Sequence, residues 1–383
     1  MAFVSASLSL GQVCGTTKLS TCRKSQAKPS NLKARSRLIT CCASHSHSSQ
    51  PTTSTSQDAE LVHEPRNEEA PFLTAPVPGD EIVRTISANG FITCKAVLAT
   101  GLVSGSCELF RTTPVAAAAL GRALICVLLL SAGKKSNETV NIEFRVNGPI
   151  RSIVAVSNGL GEARGYVGNP RVDLPPNSQG KLDVARAVGQ GLLAVVRRHP
   201  LWKQPYTGMI SVKSGEIAED VATYLLESEQ IPSALGAGVY VEGGRVTAAG
   251  GYLVELLPGA DEESISILER NIANLGMTPT ELVRAGKKPA EIVAMIMKDL
   301  HPMQLASDVP RYKCSCTIDR LKRTLALIKK EELEDILSKE GRVEAICEFC
   351  GRAYYLDPEA ARKAHAETAT NNVEEADEVP KSS

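Results

Sequence analysis

Apolar and polar residues alternate through "TVNIEFRVNGPI" and again through "RSIVAVSNG", the two-residue period of strands with one buried face. Asn147-Gly148 stands between them and predicts a turn. A helical period takes over in "LDVARAVGQGLLAVVRR", where Leu182, Ala185, Val188, Leu192 and Val195 share one face. "GEIAEDVATYLLESEQIPSA" predicts a second helix, ending near Gln230 because Pro232 disfavours continuation. Short strands follow in "GAGVYVEGGRVTAAGGYLVELLPGA", with Glu242-Gly243-Gly244 as a hairpin turn. Hairpins mixed with helices indicate an α+β core over 79–260.

The longest apolar block, "PVAAAALGRALICVLLLSAG", carries Arg122 at its centre, and its uninterrupted part is too short to cross a bilayer. Pro114 suits a helix start and Gly133 a stop, so the block predicts a buried core helix.

Past Pro258 the pattern changes. "DEESISILERNIANLG" predicts an amphipathic helix with Asp261 as cap, a stripe of Ile265, Leu268, Ile272 and Leu275, and Gly276 as stop. "TPTELVRAG" and "KPAEIVAMIMKDLHP" follow, each with proline early in its first turn. Three short helices joined by Gly and Pro make a segmented linker arm over 261–310, before a small C-terminal domain over 311–365. An acidic tail over 366–383 closes the chain and reads as unstructured.

Composition refines this picture at the other end. Hydrophobic residues make up 43% of the 383, but aromatics only 4%, so the core is aliphatic and alanine-rich. Formal charge is balanced at 43 basic against 43 acidic residues, yet residues 1–57 hold seven Lys/Arg and no Asp or Glu. That leaves the rest at a net of −7, which argues against general affinity for nucleic acid or anionic lipid. A Ser-rich, basic, acid-free opening without a sustained apolar block is the composition of an organelle transit peptide, chloroplast before mitochondrion. Residues 58–78 read as an unstructured lead-in.

Eleven cysteines divide into three groups. Cys14, Cys22, Cys41 and Cys42 lie in the transit segment, while Cys94, Cys107 and Cys126 are scattered through apolar sequence as buried thiols. Only Cys314, Cys316, Cys347 and Cys350 cluster, as "CSC" and "CEFC". In a reducing compartment this is a metal site or a redox device rather than a structural staple. "RVEAI" and "RAYYL" flank the second pair as strands of a knuckle, with Gly351 at its turn. The stretch between the pairs predicts two helices, bearing Ile318, Leu321, Leu325 and Ile328, then Leu333, Ile336 and Leu337. Four thiolates complete the tetrahedral shell that zinc requires, and so small a domain needs metal ligation to fold. Thiolates gathered in this way are also open to oxidants.

Two rival readings of the cysteines stay open, a zinc-dependent thiol-disulfide oxidoreductase and a zinc-ribbon nucleic-acid binder. The first wants its Cys-x-x-Cys at a helix N-terminus, and this pair lies between strands. The second wants a basic stripe, but Arg311–Leu356 carries ten basic and eight acidic residues. Elsewhere, Gly159, Gly161 and Gly165 follow an apolar strand, yet Asn169-Pro170 interrupts any phosphate-binding helix, so they read as a structural turn. His199 and His301 each precede a proline at an expected helix end. No catalytic constellation emerges, and the chain reads as a non-enzyme.

"GEARGYVGNP", "YLLESEQIPSA", "GGYLVELLPGA", "CSC" and "CEFCG", in that order over about Gly79 to His365, resemble the redox-regulated 33-kDa heat-shock chaperone family of ATP-independent holdases. The resemblance implies that reduced Cys314, Cys316, Cys347 and Cys350 bind one zinc and hold the protein inactive. It implies that oxidation forms Cys314–Cys316 and Cys347–Cys350 disulfides, releases zinc and unfolds the arm. Apolar surface then captures unfolding client proteins, and homodimers are favoured. The long N-terminal extension departs from the family's mainly bacterial pattern and implies an organellar location, the chloroplast stroma before the mitochondrial matrix. "CSCTIDR" is less basic than many members are there, which leaves the ligands in place.

Overall fold

The computed structural model describes residues 77–325 and 327–366. The core begins with β1 (Glu81–Ile86), β2 (Ile92–Leu98), α1 (Thr100–Phe110), α2 (Pro114–Ser131), β3 (Thr139–Val146) and β4 (Ser152–Asn158). It continues through β5 (Glu162–Val167), α3 (Val184–Val188), β6 (Gly191–Arg198), β7 (Tyr206–Ser211) and α4 (Ala218–Glu227) to β8 (Ser233–Glu242) and β9 (Arg245–Leu256). Three helices follow, α5 (Glu262–Ala273), α6 (Pro279–Arg284) and α7 (Pro289–Ile296), then β10 (Met303–Asp308) and β11 (Arg311–Tyr312). Last come α8 (Ile318–Leu325), α9 (Lys330–Glu340), β12 (Val343–Ile346) and β13 (Ala353–Leu356), and a helix over 358–366.

α2 decides the architecture. It is apolar all round, which requires burial on all sides. A five-stranded sheet, ordered β10-β1-β2-β9-β8, lies on one side of it, and a six-stranded sheet, β11-β5-β4-β3-β6-β7, on the other. Every residue of α2 except Pro114 and Arg122 is buried. The helix is long and apolar enough to span a membrane by composition, but the two sheets enclose it. Arg122 reaches out of this core to pair with Glu216.

The β8–β9 hairpin turns at Gly243-Gly244 as expected, whereas β3 and β4 are joined over 147–151 by a turn closed from Gly148 to Arg151, with Pro149-Ile150 rather than Asn147-Gly148 at its centre. β8 and β9 are longer than the short strands anticipated, at 10 and 12 residues. Gly159 to Gly161 make the tight β4–β5 turn, with Gly161 at φ 72°.

The helix expected across Leu182 to Val195 is overturned. Only α3 is helical there, and Gly191–Arg198 extends as β6 between β3 and β7. Gly189, at φ 70°, ends the helix, and a strand places Leu193 and Val195 together on the core face. His199 therefore closes a strand rather than a helix.

The arm helices cover the outer face of the five-stranded sheet. Leu268, Leu282, Ile292, Val293, Ile296, Met297 and Leu300 pack with Val83, Ile92, Cys94, Ala96, Tyr252 and Val254 in a second core. Local chemistry starts each helix. Asp261 accepts from the Ser264 amide, and Thr278 and Glu281 form a reciprocal capping box. Pro279 and Pro289 open α6 and α7, where their missing N–H costs nothing. Behind α7 the chain turns extended and adds β10 to the sheet beside β1, tied by Ser307 to Glu81 and Arg84 to Asp308.

Candidate metal centre

Pro310 separates β10 from β11, and β11 runs parallel to β5, with Arg311 opposite Glu162 and Tyr312 opposite Ala163. This short pairing delivers the chain to Cys314 and Cys316. Arg320, one turn into α8, donates to the Ser315 hydroxyl at 2.9 Å and its carbonyl at 3.2 Å, bracing the loop between the two thiols.

The other pair sits in the β12–β13 hairpin. Gly351 donates to the Cys347 carbonyl at 2.7 Å and the Cys347 amide to Arg352 at 2.9 Å, while Gly351 takes φ 69°. That conformation suits glycine and turns the knuckle so that both thiols face the first pair. Beneath, Leu321, Leu325, Leu333, Leu337, Val343, Ala345, Leu356 and Ala361 form a small aliphatic core.

The four sulfurs all lie within 4.8 Å of one another. Cys314 Sγ is 3.7 Å from Cys347 Sγ, and Cys316 Sγ is 3.3 Å from Cys350 Sγ. A tetrahedral ion with bonds of about 2.3 Å would hold its sulfurs about 3.8 Å apart, so the cluster fits a single soft divalent cation. All four are half-buried. The Tyr354 hydroxyl lies 3.2 Å from Cys316 Sγ and 3.1 Å from its carbonyl, a contact the cysteine spacing does not disclose.

Packing thiols this closely splits their acidities. Hydrogen bonds from Cys314, Cys347 and Cys350 hold the Cys316 thiol well below its ordinary range. The same network pushes Cys314 well above it, through its bonds to Cys316 first and to Cys347 and Cys350 after. Cys347 is drawn down to about 7, chiefly by its bond with Cys314. A thiolate is the form that ligates metal and the form that reacts with oxidants.

The remaining thiols differ in kind. Burial pushes Cys94, Cys107 and Cys126 up to about 12, which suppresses thiolate reactivity. Cys14, Cys22, Cys41 and Cys42 lie outside the described residues. His199 Nδ1 accepts from the Leu201 amide at 3.2 Å and its ring leans on Trp202, while His301 is exposed. Neither approaches the cysteines as a ligand.

The centre is fastened to the core through β5. Glu162 accepts from Arg311 at 2.6 Å and from Lys313 at 2.9 Å, and Phe349 lies against Tyr166 and Arg164. None of these core residues announces itself in the sequence, because the partner that each holds at the centre lies about 150 or more positions away.

The profile of the Hsp33 protein family matches residues 80–357 of this chain. The chain belongs to the Hsp33 family. Among relatives, the 33 kDa chaperonin of Trichormus variabilis is 41% identical over 285 residues, covering 73% of this chain and 94% of that protein. The 33 kDa chaperonin of Limosilactobacillus fermentum is 37% identical over 284 residues, covering 73% and 96%. The crystal structure of the 33 kDa chaperonin of Thermotoga maritima superposes with a TM-score of 0.70 at 32% identity, across 76% of this chain and 99% of that one. Family and fold thus agree along the region that carries the core, the arm helices and the cysteine cluster.

Proposed function

We propose that this Hsp33-family chain is an ATP-independent holdase, inactive while reduced and metal-bound and active once its cysteines are oxidised. The observation that carries the reading is the joining of two features. Four thiols converge in a small domain fastened to the core, and the adjoining arm covers an apolar sheet face.

Cys314, Cys316, Cys347 and Cys350 are the residues that would hold the cation, and four sulfur donors favour zinc. When bound, zinc supplies a structural crosslink between two loops, holding a core too small to be stable alone. Each pair of thiolates, Cys314 with Cys316 and Cys347 with Cys350, gives up two electrons to one peroxide, which takes two protons from solvent and leaves as two waters. The thiolate donors are then gone, and the small domain loses its crosslink. Its hold on β11 loosens, and α5 to α7 leave the sheet face, exposing Val83, Ile92, Ala96 and Val254 to unfolding clients. Exposed faces of this kind favour pairing of two oxidised copies. The reading contains no substrate turnover and gives no role to nucleic acid or membrane.

The decisive experiment follows aggregation of a thermally unfolding protein with the reduced chain, then with the peroxide-treated chain, while metal release is read by a chromogenic chelator. Suppression confined to the oxidised, metal-free protein supports the holdase. Catalytic reduction of disulfide substrates by trace protein would replace it with an oxidoreductase.

Residues 1–57, outside the described residues, extend the reading to import into an organelle, the chloroplast stroma before the mitochondrial matrix. Mass spectrometry of the organellar protein should find a mature N-terminus after the "RLITCCAS" segment. One that retains Met1 overturns import.

A further inference from the structure

We propose that Phe349, between the two knuckle cysteines, is the positioning residue through which the core senses the state of the cysteine cluster. The inference rests on the redox-regulated reading above and names the contact that transmits it.

Phe349 is only 4% exposed, yet it takes no part in the small domain's own aliphatic core. Its burial comes from the other side. The ring meets Tyr166 edge-on, with centroids 5.1 Å apart and planes at 82°. The Arg164 guanidinium lies 4.9 Å from the ring centroid, and the Tyr312 hydroxyl donates to the Phe349 carbonyl. Edge-to-face and cation–π contacts of this kind depend on ring orientation as well as proximity.

Strand geometry explains how the seat is built. Side chains alternate along β5, so Ala163 and Val167 face the core while Glu162, Arg164 and Tyr166 face outward together. Those three successive outward residues form one docking stripe. Glu162 holds Arg311 and Lys313, and Arg164 and Tyr166 hold Phe349. The strand thereby grips both cysteine loops, one beside Cys314 and one inside the Cys347–Cys350 turn.

In the reduced cluster the two knuckle cysteines that flank Glu348-Phe349 reach across to the other loop, Cys347 towards Cys314 and Cys350 towards Cys316. A disulfide within the knuckle requires those two sulfurs to turn to each other at about 2.05 Å. The two electrons go to the peroxide and the two protons come from solvent, as above. Residue 349 lies inside the loop that must turn, so the ring leaves its seat on Tyr166. Tyr312 then loses its acceptor, and β11 loses an anchor on β5. Only Val309 and Pro310 separate β11 from β10, which closes the arm against β1. Release at Phe349 therefore reaches the arm along the backbone.

The test uses the full-length, reduced, metal-loaded protein and hydrogen exchange read by mass spectrometry. Phe349→Ala, Tyr166→Ala and the double variant are compared with the parent, alongside bound metal per chain. Tyr166 lies on β5 of the core, outside both cysteine loops, so its truncation leaves the four ligand positions in place. Each single variant should speed exchange across 303–313 by roughly 10- to 100-fold, the range set by one buried aromatic contact. The double variant should be no faster than the faster single, because both remove one interaction. In Tyr166→Ala, metal content and exchange across 330–356 should match the parent. Unchanged exchange across 303–313 in Tyr166→Ala, or full additivity in the double variant, overturns the proposal. If Phe349→Ala loses metal, Tyr166→Ala alone decides. A chain that undocks in this way yet never suppresses aggregation sinks the holdase reading and leaves the Phe349 contact standing.

Discussion

Thr280, in the first turn of α6, rests on the bare backbone of Gly238: a Cβ placed on Gly238 would stand 2.3 Å from the Thr280 nitrogen. Gly236 meets Pro279 in the same way at 2.7 Å, and Gly250 meets Val283 at 2.8 Å. A seat of three glycines lets the helix lie on the sheet at backbone distance. Since the obstructing atom at Gly238 is main chain, no rotamer change relieves it. Gly238→Ala should therefore lift α6 while β8 and β9 stay paired. The expected result is faster amide exchange across 279–296 by tenfold or more, with stronger binding of an apolar dye by the reduced protein. Unchanged exchange in α6 and α7 would show that the arm is held elsewhere.

The cysteine cluster makes a second prediction. Replacing any one of Cys314, Cys316, Cys347 or Cys350 with serine removes one of four soft donors, and metal affinity should fall by at least about 100-fold. The damage should stay local. Exchange protection across 318–356 should disappear, while the α2 core between the two sheets keeps its own. X-ray absorption on the loaded parent should give a shell of four sulfurs. A nitrogen in that shell would contradict the assignment of all four cysteines as ligands.

Elements whose signals are local were legible in the sequence. The α2 block, the Gly243-Gly244 turn, the Asp261 and Pro279 starts and the two cysteine pairs each carry their cause within a few residues. The helical spacing across Leu182 to Val195 shows where such signals fail. It fits a 3.6-residue period, but Gly189 and the pairing of β6 with both β3 and β7 outweigh that period. β10 and β11 carry no local signal, because their pairing partners, β1 and β5, lie far back in the chain. The site divides in the same way. The four thiols announce themselves by spacing, whereas Glu162, Arg164, Tyr166 and Tyr354 acquire their roles only when the fold brings them to the cluster.

Glu162 links docking to acidity. Burial alone would raise its pKa, but hydrogen bonds from Arg311, Lys313 and Asn158 together outweigh it and hold the carboxyl down at about 2. A group depressed on folding contributes stability above its unfolded value of 4.5 and loses it as pH falls through about 2. Docking of β11 should thus be insensitive to pH from 8 to 5 and weaken only in stronger acid. Partner exposure of 38% and 57% for the Arg311 and Lys313 side chains keeps the effect modest, on the order of 1 kcal/mol. Glu162→Gln should reproduce the acid-loosened state at neutral pH, read as faster exchange at the Arg311 and Lys313 amides. Salt should narrow the difference between variant and parent.

Removing the cysteine domain altogether tests the restraint most directly. α6 and α7 are 6 and 8 residues long, too short to persist alone in water, so their helicity depends on packing against the sheet. That packing is bounded at its far end by β10, which is followed within three residues by the β11 anchor. A chain ending at Val309 keeps β10 but loses β11, the Glu162 ion pairs and the Phe349 contact. Its last strand becomes a fraying end, and the arm's closed and open states move closer in free energy. The shortened protein should suppress client aggregation without oxidant, whereas the full-length reduced chain should not. Exchange across 262–308 should rise in parallel, while α2 remains protected. A shortened protein that is folded, whose arm exchanges freely, and that still fails to hold clients would move the client-binding surface to the cysteine domain itself. If the arm instead stays protected after truncation, the small domain is no restraint, and the closed state belongs to the glycine seat and the second core alone.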